Sequence, residues 1–299
     1  MQTPRISASS YSNTAPLIWS FLYGSNHGKV ELILDNAPAR SAELLEQDRV
    51  DAALVPVIAY QTLADVKLVP GVCVGAKERV RSVCLVTRGI DLADAKTVAL
   101  DVSSRTSVAL VKIIFREFLS REPEFHPAQP DVKAMLDKAD AALIIGDPAL
   151  AIADRGLRIA DSDAVFSSDL GSLSIEQQIK SDLGKSAIRD PRSAIRIFDL
   201  AELWRKHTGL GFIFAMWMTR KDQLSIDFAA ARDEGVANAD SIAASYSANL
   251  ALSQSEIRNY LTQNISYEPD SSMLEGMQLY FELAHKHGLI DQNKELNFV

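Results

Sequence analysis

The sequence predicts an α/β protein built as two similar lobes, and three observations carry that expectation. Strand-like and helix-like stretches alternate along most of the 299 residues, the pattern of βα units. A segment in the first third, LLEQDRVDAALVPV (44–57), is echoed in the middle by AMLDKADAALIIGD (134–147). Each is an amphipathic helix, a turn, and Asp-Ala-Ala-Leu opening an apolar strand. Upstream of each lies a strand that runs into a turn crowded with hydroxyl or amide groups, SSYSNTAP (9–16) and SSRTS (103–107).

The elements follow in order. RISAS (5–9) is a short strand, and APLIWSFLYG (15–24) has apolar residues at helical spacing and stops at a glycine. KVELIL (29–34) alternates as a strand, SAELLEQDRV (41–50) is an amphipathic helix, and DAALVPV (51–57) is a buried strand. VRSVCLVTR (80–88) is a further strand, after which TVAL (97–100), the Ser-rich turn and the helix TSVALVKIIFREFL (106–119) restart the pattern. Val108, Val111, Phe115 and Phe118 share one face of that helix, with Lys112 and Arg116 off it. Such alternation predicts mainly parallel sheets. The chain is expected to cross between lobes near 88–96 and to return near 190–212. Lobe one is then 1–90 plus 198–299, and lobe two is 91–197. The polar stretch 167–192 reads as surface, and the helices after Ser225 as packing on the first lobe.

Composition narrows the function. An apolar content of 47% supports sizeable cores, and a net charge of −8 argues against a broad nucleic-acid surface, which needs clustered Lys and Arg. Cys73 and Cys84 lie in apolar strand-like runs and read as buried thiols, not as a disulfide or metal site. Nothing approaches the roughly 18 apolar residues of a membrane span, and the first residues lack an apolar leader core. The expected setting is therefore the cytoplasm, without metal or cofactor. The expected partner is a small molecule.

The crowded turns say which kind. A helix start presents unpaired N–H groups and partial positive charge, so added hydroxyls make it an anion site. Open α/β sheets bind ligands where such turns lie, at the carboxyl ends of strands. Two lobes facing each other place two such turns across one cleft, which suits a small molecule with a negative group at each end. Each serine also suits a plain N-cap. Trp204, Phe212, Phe214 and Trp217 read as core, with one ring free to flank a ligand. The five histidines read as solvated or helix-capping. Asp147, before Pro148, reads as a helix start in preference to a base.

Several blocks together resemble chorismate dehydratases of the futalosine route to menaquinone, relatives of type II periplasmic binding proteins. They are YSNTAPL (11–17), DAALVPVIAY (51–60), RSVCLVTR (81–88), TVALDVSSRTSVALVKII (97–114), ADAALIIGDPAL (139–150), FDLAELWRKHTGLGFIFAMW (198–217) and LEGMQLYFELAHKHGLI (274–290). Ser12 stands where that family usually has Leu, and Gly211 where it has Pro. The resemblance implies a two-lobed type II periplasmic-binding-protein-like fold with a hinge and a central cleft. It also implies loss of water from chorismate to give 3-[(1-carboxyvinyl)oxy]benzoate. With it, Asn13 and Ser82 are the expected catalytic residues. Ser103, Ser104, Arg105, Thr106, Ser107, Gly146 and Asp147 are the expected substrate-binding residues. No protein base stands out, so the enolpyruvyl carboxylate of the substrate is the candidate proton acceptor. Two rivals are 1,4-dihydroxy-6-naphthoate synthase, expected to carry a different N-terminal signature and a functional histidine, and a solute-binding protein for a small carboxylate.

Overall fold

The chain builds two five-stranded sheets. The structure, a computed structural model, describes residues 3–35, 38–155 and 195–299; the stretch 167–192 read as surface lies outside them. The strands are β1 (Arg5–Ser9), β2 (Glu31–Asp35), β3 (Ala52–Pro56), β4 (Lys67–Ala76), β5 (Val83–Arg88), β6 (Thr97–Asp101), β7 (Glu124–Ala128), β8 (Ala141–Ile145), β9 (Ile195–Asp199) and β10 (Phe212–Thr219). The first sheet has the order β2-β1-β3-β10-β4 and the second β7-β6-β8-β5-β9. The echo in the sequence is thus an echo in topology: β1-β2-β3 and β6-β7-β8 are the same parallel unit.

The helices are α1 (Ala15–Leu22), α2 (Pro38–Glu46), α3 (Ala59–Thr62), α4 (Arg105–Ile113), α5 (Val132–Leu136), α6 (Gly146–Arg155), α7 (Leu200–Thr208), α8 (Phe228–Ala237), α9 (Ala239–Leu250), α10 (Gln254–Asn259) and α11 (Ser271–Lys286). Strands β3 and β8 are buried at every position, as expected of central strands covered on both faces. The α4 helix widens into a π turn at Ile114–Phe118 instead of running regularly to 119. Its expected inner face is kept, with Val111 and Phe115 fully buried.

Three expectations need correction. The sheets are mixed, because β10 runs antiparallel to β3 and β4, and β5 antiparallel to β8 and β9. β5 and β10 each enter their sheet from the other lobe, so neither is joined to a neighbouring strand of its own sheet by the βαβ crossover that parallel pairing requires. The first crossing is also earlier than expected. Because β5 belongs to the second sheet, the chain changes lobes at 77–82, before the segment 88–96. A division at residue 90 would cut β5 from its partners. The return runs between β9 and β10, through α7. Finally, α11 packs on β10 and also reaches the second lobe, where the Tyr280 hydroxyl donates to the Thr106 carbonyl at 3.0 Å.

One carboxylate ties the two crossings together. Asp199, 3% exposed, accepts the N–H groups of Val80 (3.2 Å) and Arg81 (2.6 Å) from the outgoing segment. It also accepts those of Ala201 (3.0 Å) and Glu202 (3.2 Å), capping α7 on the return. Burial raises its pKa above the ordinary carboxylate value, and these donors pull it back.

Candidate functional site

The turns after β1, β6 and β8 meet between the lobes and enclose a cavity of about 60 Å³. From the first lobe Tyr11, Asn13, Thr14 and Phe214 line it; from the second Ser104, Thr106, Ser107 and Gly146 do. Ligand pockets usually run from roughly 300 Å³ upward, so this conformation holds the cleft closed.

On the second-lobe wall, α4 begins at the Ser-rich turn. Ser104 is its N-cap, its Oγ accepting the Ser107 N–H at 3.3 Å. Thr106 is buried and its Oγ1 accepts the Ile58 N–H of the first lobe at 3.4 Å, which leaves the hydroxyl proton free to be donated. Ser104, Thr106 and Ser107 therefore bring hydroxyls and a helix N-terminus to the cavity. Ser103 does not line the cavity: its N–H and hydroxyl both bond Asp101 Oδ1, at 2.8 and 2.6 Å, and its side chain also hydrogen-bonds Tyr11, which does line it. Arg105 is not drawn in either. Its side chain is 41% exposed, with a guanidinium nitrogen 3.9 Å from Glu43 of the first lobe, at the rim.

On the opposite wall the turn Ser10–Thr14 is held tightly. The Thr14 hydroxyl donates to the Ser9 and Tyr11 carbonyls at 2.6 and 2.8 Å. Asn13 lines the cavity, and its Oδ1 is buried with no hydrogen-bond partner. An orphaned buried carbonyl is costly, and here it marks a place where a donor is missing.

Gly146 has φ of +67° and donates its N–H to the Ser82 carbonyl at 2.7 Å. Asp147 does not cap its own helix start as expected; its carboxylate reaches across the cleft and accepts the Ser12 N–H at 3.1 Å, and the Ser12 hydroxyl bonds it too. Burial raises its pKa, against the Ser12 hydrogen bonds. Ser82 is fully buried and does not line the cavity. Its hydroxyl is 3.5 Å from the Val80 carbonyl and next to the Tyr260 hydroxyl, behind Val83, which does line it. Phe214 is the one ring of the expected aromatic group that reaches the cleft; Trp204, Phe212 and Trp217 are core.

Two groups here were not singled out in the sequence. Asp101, 1% exposed, ends β6 with its Oδ2 unpartnered; burial raises its pKa, and Ser103 opposes that. Tyr11 packs over Gly146, and its phenol pKa is raised by burial, with the charges of Asp101 and Asp147 adding to the rise. An acidic residue at the carboxyl end of a predicted strand is a signal that could have found Asp101. Among the described residues, no three His, Cys, Asp or Glu side chains gather as a metal-ligand set, and no helix is long and apolar enough to cross a membrane.

Two mixed α/β lobes, joined by paired crossings and closing on a shared cleft, define a periplasmic-binding-protein-like fold. Solved structures share it. Protein AF1704 from Archaeoglobus fulgidus is 17% identical, with 96% of this chain and 98% of that one covered and a TM-score of 0.65. The Candida albicans CA3427 gene product, described as having the generic periplasmic binding protein fold, is 12% identical over 100% and 98%, with a TM-score of 0.61. The Escherichia coli periplasmic aliphatic sulphonate binding protein SsuA is 14% identical over 99% and 93%, with a TM-score of 0.58. The chain itself belongs to the menaquinone biosynthesis family, whose sequence model matches residues 4–173 and 183–286.

Proposed function

We propose that the protein is a chorismate dehydratase, acting in the futalosine route to menaquinone. Membership of the menaquinone family supports the pathway, and the cleft supports the chemistry. Chorismate has a ring carboxylate and an enolpyruvyl carboxylate. The reaction removes the proton from the ring carbon bearing the enolpyruvyl ether and expels the neighbouring hydroxyl. The C–H electron pair becomes part of the new aromatic ring, the C–O bond breaks, and proton and hydroxide leave as water.

Charge left by deprotonation spreads through the adjoining double bond onto the ring carboxylate. Donors aimed there stabilise the transition state like an oxyanion hole, each worth about 2.7–4 kcal/mol. In this reading the start of α4, with the hydroxyls of Ser104, Thr106 and Ser107, holds the ring carboxylate. Asn13 orients the enolpyruvyl carboxylate, which accepts the proton, or the departing hydroxyl. Arg105 at the rim draws the dianion in. Ser82 is a positioning residue whose carbonyl fixes Gly146. The lobes part to admit the substrate and close to exclude water.

The observation that carries this reading is the Asn13 amide: its buried Oδ1 lacks a donor, which the departing hydroxyl of the substrate would supply, in a cavity whose other wall is a hydroxyl-rich helix start. The test is to incubate purified protein with chorismate in the presence of a chelator. Ultraviolet absorption and mass spectrometry should show an aromatic product lighter by one water. Tight binding of chorismate without product would instead favour a solute-binding protein for a small carboxylate.

A further inference from the structure

Asp147 stands out among the polar groups of the cleft because its carboxylate is already engaged. It belongs to the first turn of α6 in the second lobe, yet it accepts two hydrogen bonds from Ser12 of the first lobe, one from the N–H at 3.1 Å and one from the hydroxyl. The same turn touches the second lobe again through the Tyr11 ring, which lies over Gly146. Both contacts lie immediately before Asn13 in the chain. The turn has little freedom of its own, since the Thr14 hydroxyl bridges the Ser9 and Tyr11 carbonyls. A shift of Ser12 is therefore passed to Asn13 through one peptide bond. The hydrogen bonds exist only while the lobes are closed, because donor and acceptor belong to different lobes.

We infer that Asp147 is a positioning residue: by latching Ser12 across the cleft it fastens the closed state and sets Asn13 in its working orientation only then. Its carboxylate is thus spent on the protein and not on a ligand. The assignment rests on the reading of this cleft as the reaction site, but the latch itself is independent of which ligand enters.

Asp147→Asn keeps the shape and removes the charge and one acceptor, while Ser12→Ala removes only the hydroxyl and leaves the N–H. Turnover should fall at least tenfold in Asp147→Asn and less in Ser12→Ala. The double variant should lose less than the two single losses combined, since both changes weaken the same pair of hydrogen bonds. A structural role elsewhere would make the effects additive. In parallel, spin labels on Lys29→Cys and Lys138→Cys report the distance between lobes without any substrate; Cys73 and Cys84 are buried and stay unlabelled. Asp147→Asn should shift that distribution to longer distances. An unchanged distribution would overturn the latch, as would additive losses, or a rise in KM alone, which marks a group that simply binds ground-state ligand. If Asp147→Asn fails to fold, Ser12→Ala decides the matter by the same two measurements. If the wild type makes no product from chorismate, the reaction assignment fails while the distance measurement still judges the latch.

Discussion

Gly146→Ala isolates the contact between the lobes at its tightest point. Gly146 has φ of +67°, and an added Cβ would lie 3.0 Å from two atoms of the Tyr11 ring. The left-handed backbone costs a residue with a Cβ about 1–2 kcal/mol. The contact adds to this, because the ring must retreat by a few tenths of an ångström, and Asn13 is two residues along the same turn. Gly28 supplies the control: its φ is +73° and nothing lies within 4 Å of its Cβ position, so Gly28→Ala carries the backbone cost alone. Calorimetry should show Gly28→Ala losing about 2–8 °C in melting temperature, at roughly 2–4 °C per kcal/mol for a chain of this order, and Gly146→Ala losing more. Product formation from chorismate should separate them. Gly28→Ala should keep wild-type kcat/KM, and Gly146→Ala should lose at least tenfold, a barrier change of about 1.4 kcal/mol. If Gly146→Ala loses stability but keeps kcat/KM within twofold, the Tyr11–Gly146 packing is no part of the working state.

Asn13→Asp places a negative charge beside an anionic ligand. Two charges about 4 Å apart at an effective dielectric near 20 repel by ~4 kcal/mol, so steady-state kinetics should show about a thousandfold loss with an unchanged circular dichroism spectrum. Wild-type kinetics would remove Asn13 from the site. Ser104→Ala should cost about 1 kcal/mol of stability in urea titration as a lost N-cap and at least tenfold in kcat/KM; a stability loss without a kinetic one would leave Ser104 a cap only. Asp101 has its folded pKa raised above the ordinary 3.8 by burial, so its ionised form costs stability above the folded pKa, and that cost fades as pH falls toward 3.8. Asp101→Asn should therefore be more stable than wild type at pH 7 and lose that advantage at pH 4, as read by urea titration at both values; a constant difference would contradict the sign.

The sequence alone determined the units of this protein. Period and punctuation placed the strand RISAS, the helix after Pro16 and the buried strands with Asp-Ala-Ala-Leu, because side-chain alternation and helix caps are local properties of the chain. The repeat of those units, with a hydroxyl-rich turn after β1 and after β6, predicted two lobes and put Asn13, Ser104, Thr106 and Ser107 at one cleft, to which the family resemblance added Gly146. Tertiary structure decided what sequence spacing does not encode. β5 pairs with β8 and β9 through hydrogen bonds that ignore chain order, so the crossing falls at 77–82 and the sheets are mixed. Arg105 and Ser103 sit in the same motif as Ser104, yet the start of α4 turns one to the rim and the other to Asp101. Asp147 reads locally as a helix start, but its partner is Ser12, 135 residues away. Asp199 caps α7, and it also holds the other crossing. A carboxylate bonds whichever N–H groups the fold brings within about 3 Å, and which groups those are depends on how the two lobes close.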